Sequence, residues 1–325
     1  MECARCHMPQ GAGFPHLLSA AECALEGGTV PVRGIVRRLG RPVLPGASWK
    51  GAVRARFEAI TASKLGVRSR GGRVSIEKLP RPLRPAGAHD RVEVRLPRLP
   101  EAGSIRRGKA GDPEVRRQLA ALSPAEALFG AMGYRGRVHP GDGVIDGPAA
   151  TAPLSVPPLE SPAPHRLAKP GAARIVGPRI EISQVEGRKF YYDGPLRHGR
   201  TLRPGEEDRP VYERIDHVPA GCTITLDLFL DSVAEAELGA LLLSAGHGAN
   251  GGVLRFGGYK PAGLGKVCLQ GVTGQLRRGA DGATWQRGAG EPLDADRLVA
   301  AARADGFIDA AALAELHQIT TRLRP

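Results

Sequence analysis

Several features that would assign the chain to common protein classes are scarce or missing. Aromatic residues make up only 4% of the 325 residues, so composition does not predict a broad platform for stacking nucleic-acid bases. No apolar run reaches the ~20 residues of a membrane-spanning helix, and no secretory apolar segment follows Met1. Neither a Walker-type phosphate loop nor a dinucleotide-binding fingerprint is present. The sequence therefore predicts a cytoplasmic globular protein with no membrane partner.

Cysteine is also scarce, and its five copies form no complete metal motif. Cys3 and Cys6 have the Cys-x2-Cys spacing of a zinc half-site, which His7, His16 or Cys23 could complete. No second pair with that spacing follows, so unliganded thiols are the alternative interpretation. A structural zinc held by Cys3, Cys6, His16 and Cys23 is the one cofactor that the sequence suggests.

Acidic residues are missing from residues 27–46, although the chain has 33 of them in all. Basic residues number 46, which gives a net charge of +13. This surplus indicates a polyanionic partner such as nucleic acid, although the codon bias of a GC-rich genome would also enrich arginine.

The most basic stretch is 61–118, with fifteen Lys or Arg against six Asp or Glu. Its prolines predict an insertion with little regular structure beyond a hairpin near residues 92–96. The insertion either follows a phosphate backbone or forms a solvated loop.

A glycine-rich basic segment at 253–267 is the most distinctive part of the chain. Two short apolar runs flank four glycines, two lysines and one arginine. Glycine permits positive φ and lets a partner approach the main chain closely. Exposed N–H groups in such a turn, with lysines nearby, suit a phosphate. The pattern predicts a strand, a phosphate-binding loop and a second strand, with a flexible surface turn as the alternative.

A second basic segment opens a helix predicted at about 48–60. Ser48 is expected to cap its N-terminus. Lys50 and Arg54 lie one turn apart near the helix start, where unpaired N–H groups favour a phosphate, although a solvated basic face has the same pattern. Apolar residues at helical spacing predict a buried stripe on this helix. The stripe consists of Val53, Phe57 and Ile60.

Apolar periodicity predicts the other regular elements. Helices are expected at 119–129, 234–244, 293–304 and 309–323, and strands at 176–185 and 223–230. Asp142 and Asp146 follow a predicted strand, either as metal ligands or as turn residues. The order strand, helix, glycine-rich loop, strand over 223–267 is half of a ferredoxin-like fold.

Five segments resemble, in order, those of a known family. Residues 45–54 resemble the proline–glycine–serine–serine–x–lysine–glycine–x–x–arginine signature of the CRISPR-associated RAMP superfamily, with Ala47 and Trp49 as departures. The Leu-Phe-Gly sequence at 128–130 is similar to the element between RAMP motifs, and 257–265 looks like the glycine-rich loop that closes RAMP domains. Segments 161–164 and 187–192 are similar to parts of type III backbone subunits, especially III-D-like ones.

The resemblance implies an α+β fold with a ferredoxin-like (RRM-type) RAMP core, inserted basic finger and thumb segments and two C-terminal helices. Residues 1–270 would form the RAMP domain, with the insertion at 61–118 and a thumb-like hairpin at about 176–215. Residues 271–325 would form a linker and a helical extension. In the thumb, Tyr191 and Tyr192 either stack on bases or belong to the core.

The resemblance also implies a CRISPR effector-complex backbone subunit that binds guide crRNA through its phosphates and oligomerises along it. Its implied partners are crRNA, target RNA, copies of itself, other effector subunits and a separate nuclease. The predicted RNA-binding residues are Arg37, Arg38, Ser48, Lys50, Arg54, Arg188, Lys189, Arg255, Gly257, Gly258, Lys260, Gly263, Gly265 and Lys266.

Many type III backbone subunits cut target RNA with an aspartate in the loop before the proline–glycine–serine motif. The acid-free stretch 27–46 therefore predicts a subunit that does not cleave. A metal-dependent endoribonuclease is the alternative, with Asp90, Asp193 or the acids at 206–208 supplying a displaced catalytic residue. A third hypothesis is a basic structural protein without RNA.

Overall fold

The computed structural model describes residues 19–25, 28–63, 71–95, 112–146, 152–156, 168, 171–184, 190–191, 213–248, 252–260, 263–277 and 290–321. This part of the chain combines several small sheets with six helices, which confirms the predicted α+β class. None of these helices has both the length and the apolar character needed to cross a bilayer.

The helices are α1 (Gly46–Ile60), α2 (Pro113–Ala120), α3 (Pro124–Phe129), α4 (Glu235–Ser244), α5 (Ala295–Ala304) and α6 (Ala310–Thr321), with 3-10 turns at Ile76–Lys78 and Arg81–Leu83. The strands are β1 (Ser19–Leu25), β2 (Gly28–Gly34), β3 (Arg37–Arg38), β4 (Arg41–Leu44), β5 (Gly71–Ser75), β6 (Arg91–Arg95), β7 (Gly130–Ala131), β8 (Tyr134–Arg135), β9 (Val138–Pro140), β10 (Gly143–Asp146), β11 (Ala152–Val156), β12 (Ala173–Val176), β13 (Arg179–Ile182), β14 (Glu213–His217), β15 (Thr223–Thr225), β16 (Leu228–Leu230), β17 (Leu254–Arg255), β18 (Lys266–Val267), β19 (Gln275–Leu276) and β20 (Glu291–Pro292).

Three sheets have four strands each, in the orders β1-β2-β14-β11, β15-β10-β4-β3 and β12-β13-β6-β5. The second is antiparallel throughout. Each of the other two contains one parallel pair, β2 with β14 and β6 with β13. Four further pairs of short strands complete the pattern, and one of them, β17 with β18, flanks the glycine-rich loop.

Helix α1 lies at the centre of the main core. Its predicted apolar stripe is confirmed, because Val53, Phe57 and Ile60 are all fully buried. The helix packs against α3, α4, α6, β9 and β17. The ring of Phe57 meets those of Phe129 and Phe307 edge-on, at centroid distances of 5.3 and 6.1 Å. The two C-terminal helices belong to the same core, so they help to hold α1 in place.

A second, smaller core lies under the sheet β12-β13-β6-β5. Its buried residues are Val74, Leu79, Val92, Val94, Ile180 and Ile182. Residues 71–95 therefore contribute two paired strands and buried apolar residues, and the expectation of little regular structure in 61–118 is wrong for 71–95 and for 113–118, where α2 begins. Where a hairpin was predicted near 92–96, the structure shows one strand, β6, which pairs antiparallel with the more distant β5.

Local turn chemistry changes several predicted boundaries. The helix predicted at 119–129 is divided in two, because Ser123 and Glu126 form a capping box that starts α3 at Pro124. The strand predicted at 176–185 is the hairpin β12–β13, in which Gly177 turns with φ +57°. The strand predicted at 223–230 is interrupted between β15 and β16. The helices predicted at 234–244, 293–304 and 309–323 are confirmed as α4, α5 and α6.

Candidate nucleic-acid interface

A cleft of about 520 Å³ lies between the first half of α1 and the glycine-rich loop. The side of α1 that faces it carries five small residues beside Arg56, so the cleft reaches close to the helix backbone. The lining residues are Ala47, Ser48, Gly51, Ala52, Ala55, Arg56, Phe190, Tyr191, Val253, Leu254, Arg255, Phe256, Gly257, Gly258, Lys260 and Thr320. Two segments about 200 residues apart in sequence thus form one concave surface.

The described residues of the glycine-rich loop, 257–260 and 263–265, follow a backbone path that depends on glycine. The backbone adopts positive φ at Gly257 (+76°), Gly263 (+89°) and Gly265 (+78°). A Cβ on Gly265 would lie 1.9 Å from the Phe256 carbonyl oxygen, so a side chain there cannot be accommodated without backbone movement. Buried Tyr259, itself at φ +54°, holds the middle of the loop against the core.

The cleft is positively charged. Arg255 donates from Nη1 to the Gly263 carbonyl at 2.7 Å, and Lys260 donates from Nζ to the Gly257 carbonyl at 2.9 Å. Burial lowers the pKa of Lys260 below the ordinary lysine value. Arg56 also lines the cleft and donates from Nη1 to the Val253 carbonyl at 2.9 Å, and burial lowers its pKa to about 10. Of the described residues that line the cleft, none is acidic.

Three aromatic residues line the cleft, of which Phe256 is buried and Phe190 and Tyr191 are half-buried. Phe190 packs partly against the main core, and Tyr191 is half-buried, which raises the pKa of its hydroxyl. A cleft that contains both cations and aromatic rings has the two features that bind single-stranded nucleic acid, namely charge for phosphates and ring faces for bases. The prediction for Tyr192 lies outside the described residues.

The start of α1 differs from the prediction for Ser48. The helix begins at Gly46, so Ser48 is inside the first turn and lines the cleft instead of capping the helix. The cap comes from a distant residue, because the Gly46 N–H donates to Asp142 Oδ1 at 2.9 Å. Gly46 must be a glycine, since a Cβ would lie 2.4 Å from the Gly141 carbonyl oxygen. Asp142 therefore lies in the connection between β9 and β10, as a turn residue would, and caps α1 from there; it is part of no metal cluster among the described residues.

Lys50 and Arg54 lie on a different side of α1 from the cleft. Lys50 donates from Nζ to the Val138 carbonyl at 2.8 Å. Arg54 pairs with Glu58 at 2.7 Å and donates to the Gly130 carbonyl at 2.9 Å. Burial, and for Lys50 also the Arg54 charge, lowers the pKa of both side chains. These contacts attach α1 to β7 and β9, so both cations have a structural role in the chain.

Arg37 and Arg38 form β3, which pairs with β4 in a hairpin. Neither arginine lines the cleft. Arg37 pairs with Asp216 at 3.2 Å and Arg38 with Asp142 at 3.1 Å. Asp216 and Asp142 thus bring two carboxylates close to residues 27–46, which contain no acid of their own. The tip residue Leu39 is fully exposed and has φ +48°.

The other predicted site residues divide into two groups. Gly263, Gly265 and buried Lys266 shape the loop from behind and do not line the cleft. Arg188 and Lys189 lie outside the described residues, as do Cys3, Cys6 and His16. Of the proposed zinc ligands only the backbone of Cys23 is described, within β1. Of the cysteines outside this set, Cys222 is a free thiol and Cys268 is disulfide-bonded.

Sequence reasoning missed the small-residue face of α1, Arg56 and Thr320. The signal for the first was available, because residues 47, 48, 51, 52 and 55 recur at helical spacing and are all small. No pattern near Thr320 connects α6 to the cleft, since that contact depends on the tertiary fold.

Comparison with known families adds one decisive observation. The RAMP superfamily profile matches residues 26–268. The chain belongs to the RAMP superfamily. The family is consistent with the predicted ferredoxin-like core. A solved structure described as "Type IV-B CRISPR Complex" is similar at 18% identity and a TM-score of 0.34, over 83% of this chain and 92% of that one. No curated protein matches the sequence.

Proposed function

We propose that this RAMP protein is an RNA-binding subunit of a CRISPR effector complex. In this role it binds guide crRNA through the phosphate backbone, assembles with further copies of itself and with other subunits, and presents the guide to target RNA without cutting it. Family membership and the order of its motifs support the proposal. The type III-like assignment remains a prediction from the sequence motifs.

The observation that carries the proposal is the cleft itself. Arg56, Arg255 and Lys260 supply positive charge, and the small side chains of α1 leave room for a backbone to approach. Phosphates bound by such groups release counterions, so affinity falls steeply with salt and depends little on base sequence. Phe190 and Tyr191 add ring faces for one or two bases, each stacking contact being worth about 1–3 kcal/mol.

Native purification followed by sequencing of any bound RNA tests this role. The proposal predicts short RNAs with a shared constant segment, as expected of guides, together with the other subunits of the complex. The identity of those subunits also decides the subtype. A protein that purifies without RNA, or with a random sample of cellular RNA, would count against the proposal.

Filling the cleft tests the site. Gly51 lines the cleft, and a Cβ added there would have no other atom within 4 Å, so Gly51→Leu should fold and fill space meant for RNA. Blocking one stacked base should weaken single-stranded RNA binding at least about fivefold, because such a contact contributes about 1–3 kcal/mol and about 1.4 kcal/mol is a factor of ten. Gly51→Ala is the matched control and should bind nearly as the wild type does. If Gly51→Leu and wild type bind single-stranded RNA with equal affinity, the RNA does not bind in the cleft.

The endoribonuclease alternative has one observation in its favour. Asp142 and Asp216 approach the arginines of β3, next to the stretch where active relatives are expected to carry an aspartate. Both carboxylates are paired with guanidinium groups, which compete with a metal ion for them. Mg²⁺-dependent cutting of a complementary RNA that Asp216→Asn abolishes would establish the enzyme and refute the non-cleaving subunit.

A further inference from the structure

The sheet β12-β13-β6-β5 has one apolar face and one arginine-rich face. The apolar face covers the small core. In β6 burial alternates from residue to residue, with Val92 and Val94 inward and Arg91, Glu93 and Arg95 outward. The same alternation places Arg73 of β5 and Arg179 of β13 outward, because each lies opposite Glu93 in the register.

Arginine dominates this outer face. It carries five arginines and two glutamates, so three positive charges are in excess. The arginines are Arg73, Arg91, Arg95, Arg174 and Arg179, and the acids are Glu93 and Glu181. None of these seven side chains belongs to the cleft described above.

The two glutamates do not neutralise the face. Glu93 pairs with Arg95 at 2.8 Å, and Glu181 pairs with Arg179 at 3.2 Å and Arg174 at 3.4 Å. Arg73 and Arg91 are exposed and form no ion pair with any residue that the structure describes. Unpaired guanidinium groups on a flat, exposed surface are suited to phosphates, which they can bind through two hydrogen bonds.

The face also lacks a means of binding bases. None of the residues of β5, β6, β12 and β13 is aromatic. Single-stranded RNA is generally held by stacking its exposed bases on aromatic rings, whereas a duplex hides its bases and offers phosphates and 2′-hydroxyls. Charge without aromatic rings thus fits paired RNA better than a single strand.

We propose that the outer face of this sheet binds the phosphate backbone of paired RNA. It forms a second RNA surface, separate from the cleft. In an effector complex it would contact the duplex formed when the guide pairs with its target, so the inference rests on the proposed function for the source of that duplex. The contact is independent of base sequence.

Binding of a blunt RNA duplex of about 20 base pairs tests the inference, because duplex-binding domains cover about 16. Arg73→Gln with Arg91→Gln removes two guanidinium groups that form no ion pair with a described residue, so the ion pairs of Glu93 and Glu181 stay intact. The slope of log affinity against log salt should become shallower by about two, one for each phosphate contact. Duplex affinity should fall several-fold for every sequence tried, whereas binding of single-stranded oligouridine should stay near wild type.

Two further proteins serve as controls. Arg73→Lys with Arg91→Lys keeps both charges and should retain duplex binding, which separates charge from folding. Arg116→Gln with Arg303→Gln removes two exposed helical arginines and should leave the slope unchanged. If the sheet variant matches this control, or loses duplex and oligouridine binding equally, the second surface is refuted. Loss of oligouridine binding in Gly51→Leu reports on the cleft alone, so the two proposals can fail separately.

Discussion

At the scale of single residues, the basic side chains of α1 act differently from what their sequence position suggests. Lys50 and Arg54 have the spacing of a phosphate-binding pair, yet they bond the Val138 and Gly130 carbonyls. The cation that does line the cleft from this helix is Arg56. Replacing Lys50 and Arg54 with alanine is therefore expected to disturb the fold as well as any RNA contact.

Arg54→Ala should destabilise the protein markedly. Its partner Glu58 has a side chain that is only 2% exposed, and breaking an ion pair as buried as this one costs about 3 kcal/mol. Urea unfolding followed by circular dichroism measures the loss. Arg116→Ala, on the exposed side of α2, should change stability by less than about 0.5 kcal/mol. A loss as small as that for Arg54→Ala would contradict the anchoring role.

The two glycines of the motif at 45–54 should respond to alanine in opposite directions. Gly51→Ala adds a methyl group in open space inside a helix and should stabilise the protein by about 0.5–1 kcal/mol. Gly46→Ala puts a Cβ 2.4 Å from the Gly141 carbonyl oxygen, which should cost about 1–3 kcal/mol. Differential scanning calorimetry of the two variants compares them directly. A melting temperature that falls in both would show that α1 is packed differently.

At the scale of secondary-structure elements, α1 is the one that the others position. Asp142, in the turn between β9 and β10, caps its N-terminus from almost 100 residues away. The Gly46 N–H, and then the Arg38 guanidinium, lower the pKa of Asp142 below its usual 3.8. Because the folded-state pKa is depressed, this stabilisation is present above about pH 4 and is lost as the pH falls through the folded-state value.

Asp142→Ala should lower the free energy of unfolding by about 1 kcal/mol at neutral pH, the usual value of an N-cap. Asp142→Asn keeps an oxygen acceptor and should lose less, because the exposed Arg38 ion pair contributes little. Unfolding curves between neutral pH and pH 3 provide the test, and the advantage of wild type over Asp142→Asn should shrink in acid. An advantage that stays constant down to pH 3 would exclude the carboxylate cap.

The elements also show what the sequence could predict. Helices α4, α5 and α6 and the buried stripe of α1 follow from apolar periodicity, which local sequence determines. The strands flanking the glycine-rich loop follow from glycine placement. The cap on α1 and the contacts of Lys50 and Arg54 did not follow, because they depend on Asp142, β9 and β7, which are distant from α1 in the sequence. Composition identified 61–118 as basic. It did not predict the four-stranded sheet, because that sheet depends on the pairing of β6 with β13, which is distant in the sequence.

At the scale of the whole molecule, the fold brings four stretches of one chain to a single cleft. α1 contributes a small-residue face, the glycine-rich loop contributes cations, and residues 190–191 contribute rings. α6 closes the cleft through Thr320, so the C-terminal helices support the site as well as the core. The arginine face of the sheet β12-β13-β6-β5 is a separate surface of the molecule.

Photo-crosslinking of the full-length protein to single-stranded RNA carrying 4-thiouridine, with the linked peptides identified by mass spectrometry, tests the central claim most directly. The account predicts adducts within residues 47–56, 190–191 and 255–260, and their loss in Gly51→Leu. Adducts confined to other segments, with none in the cleft and no effect of Gly51→Leu, would contradict it.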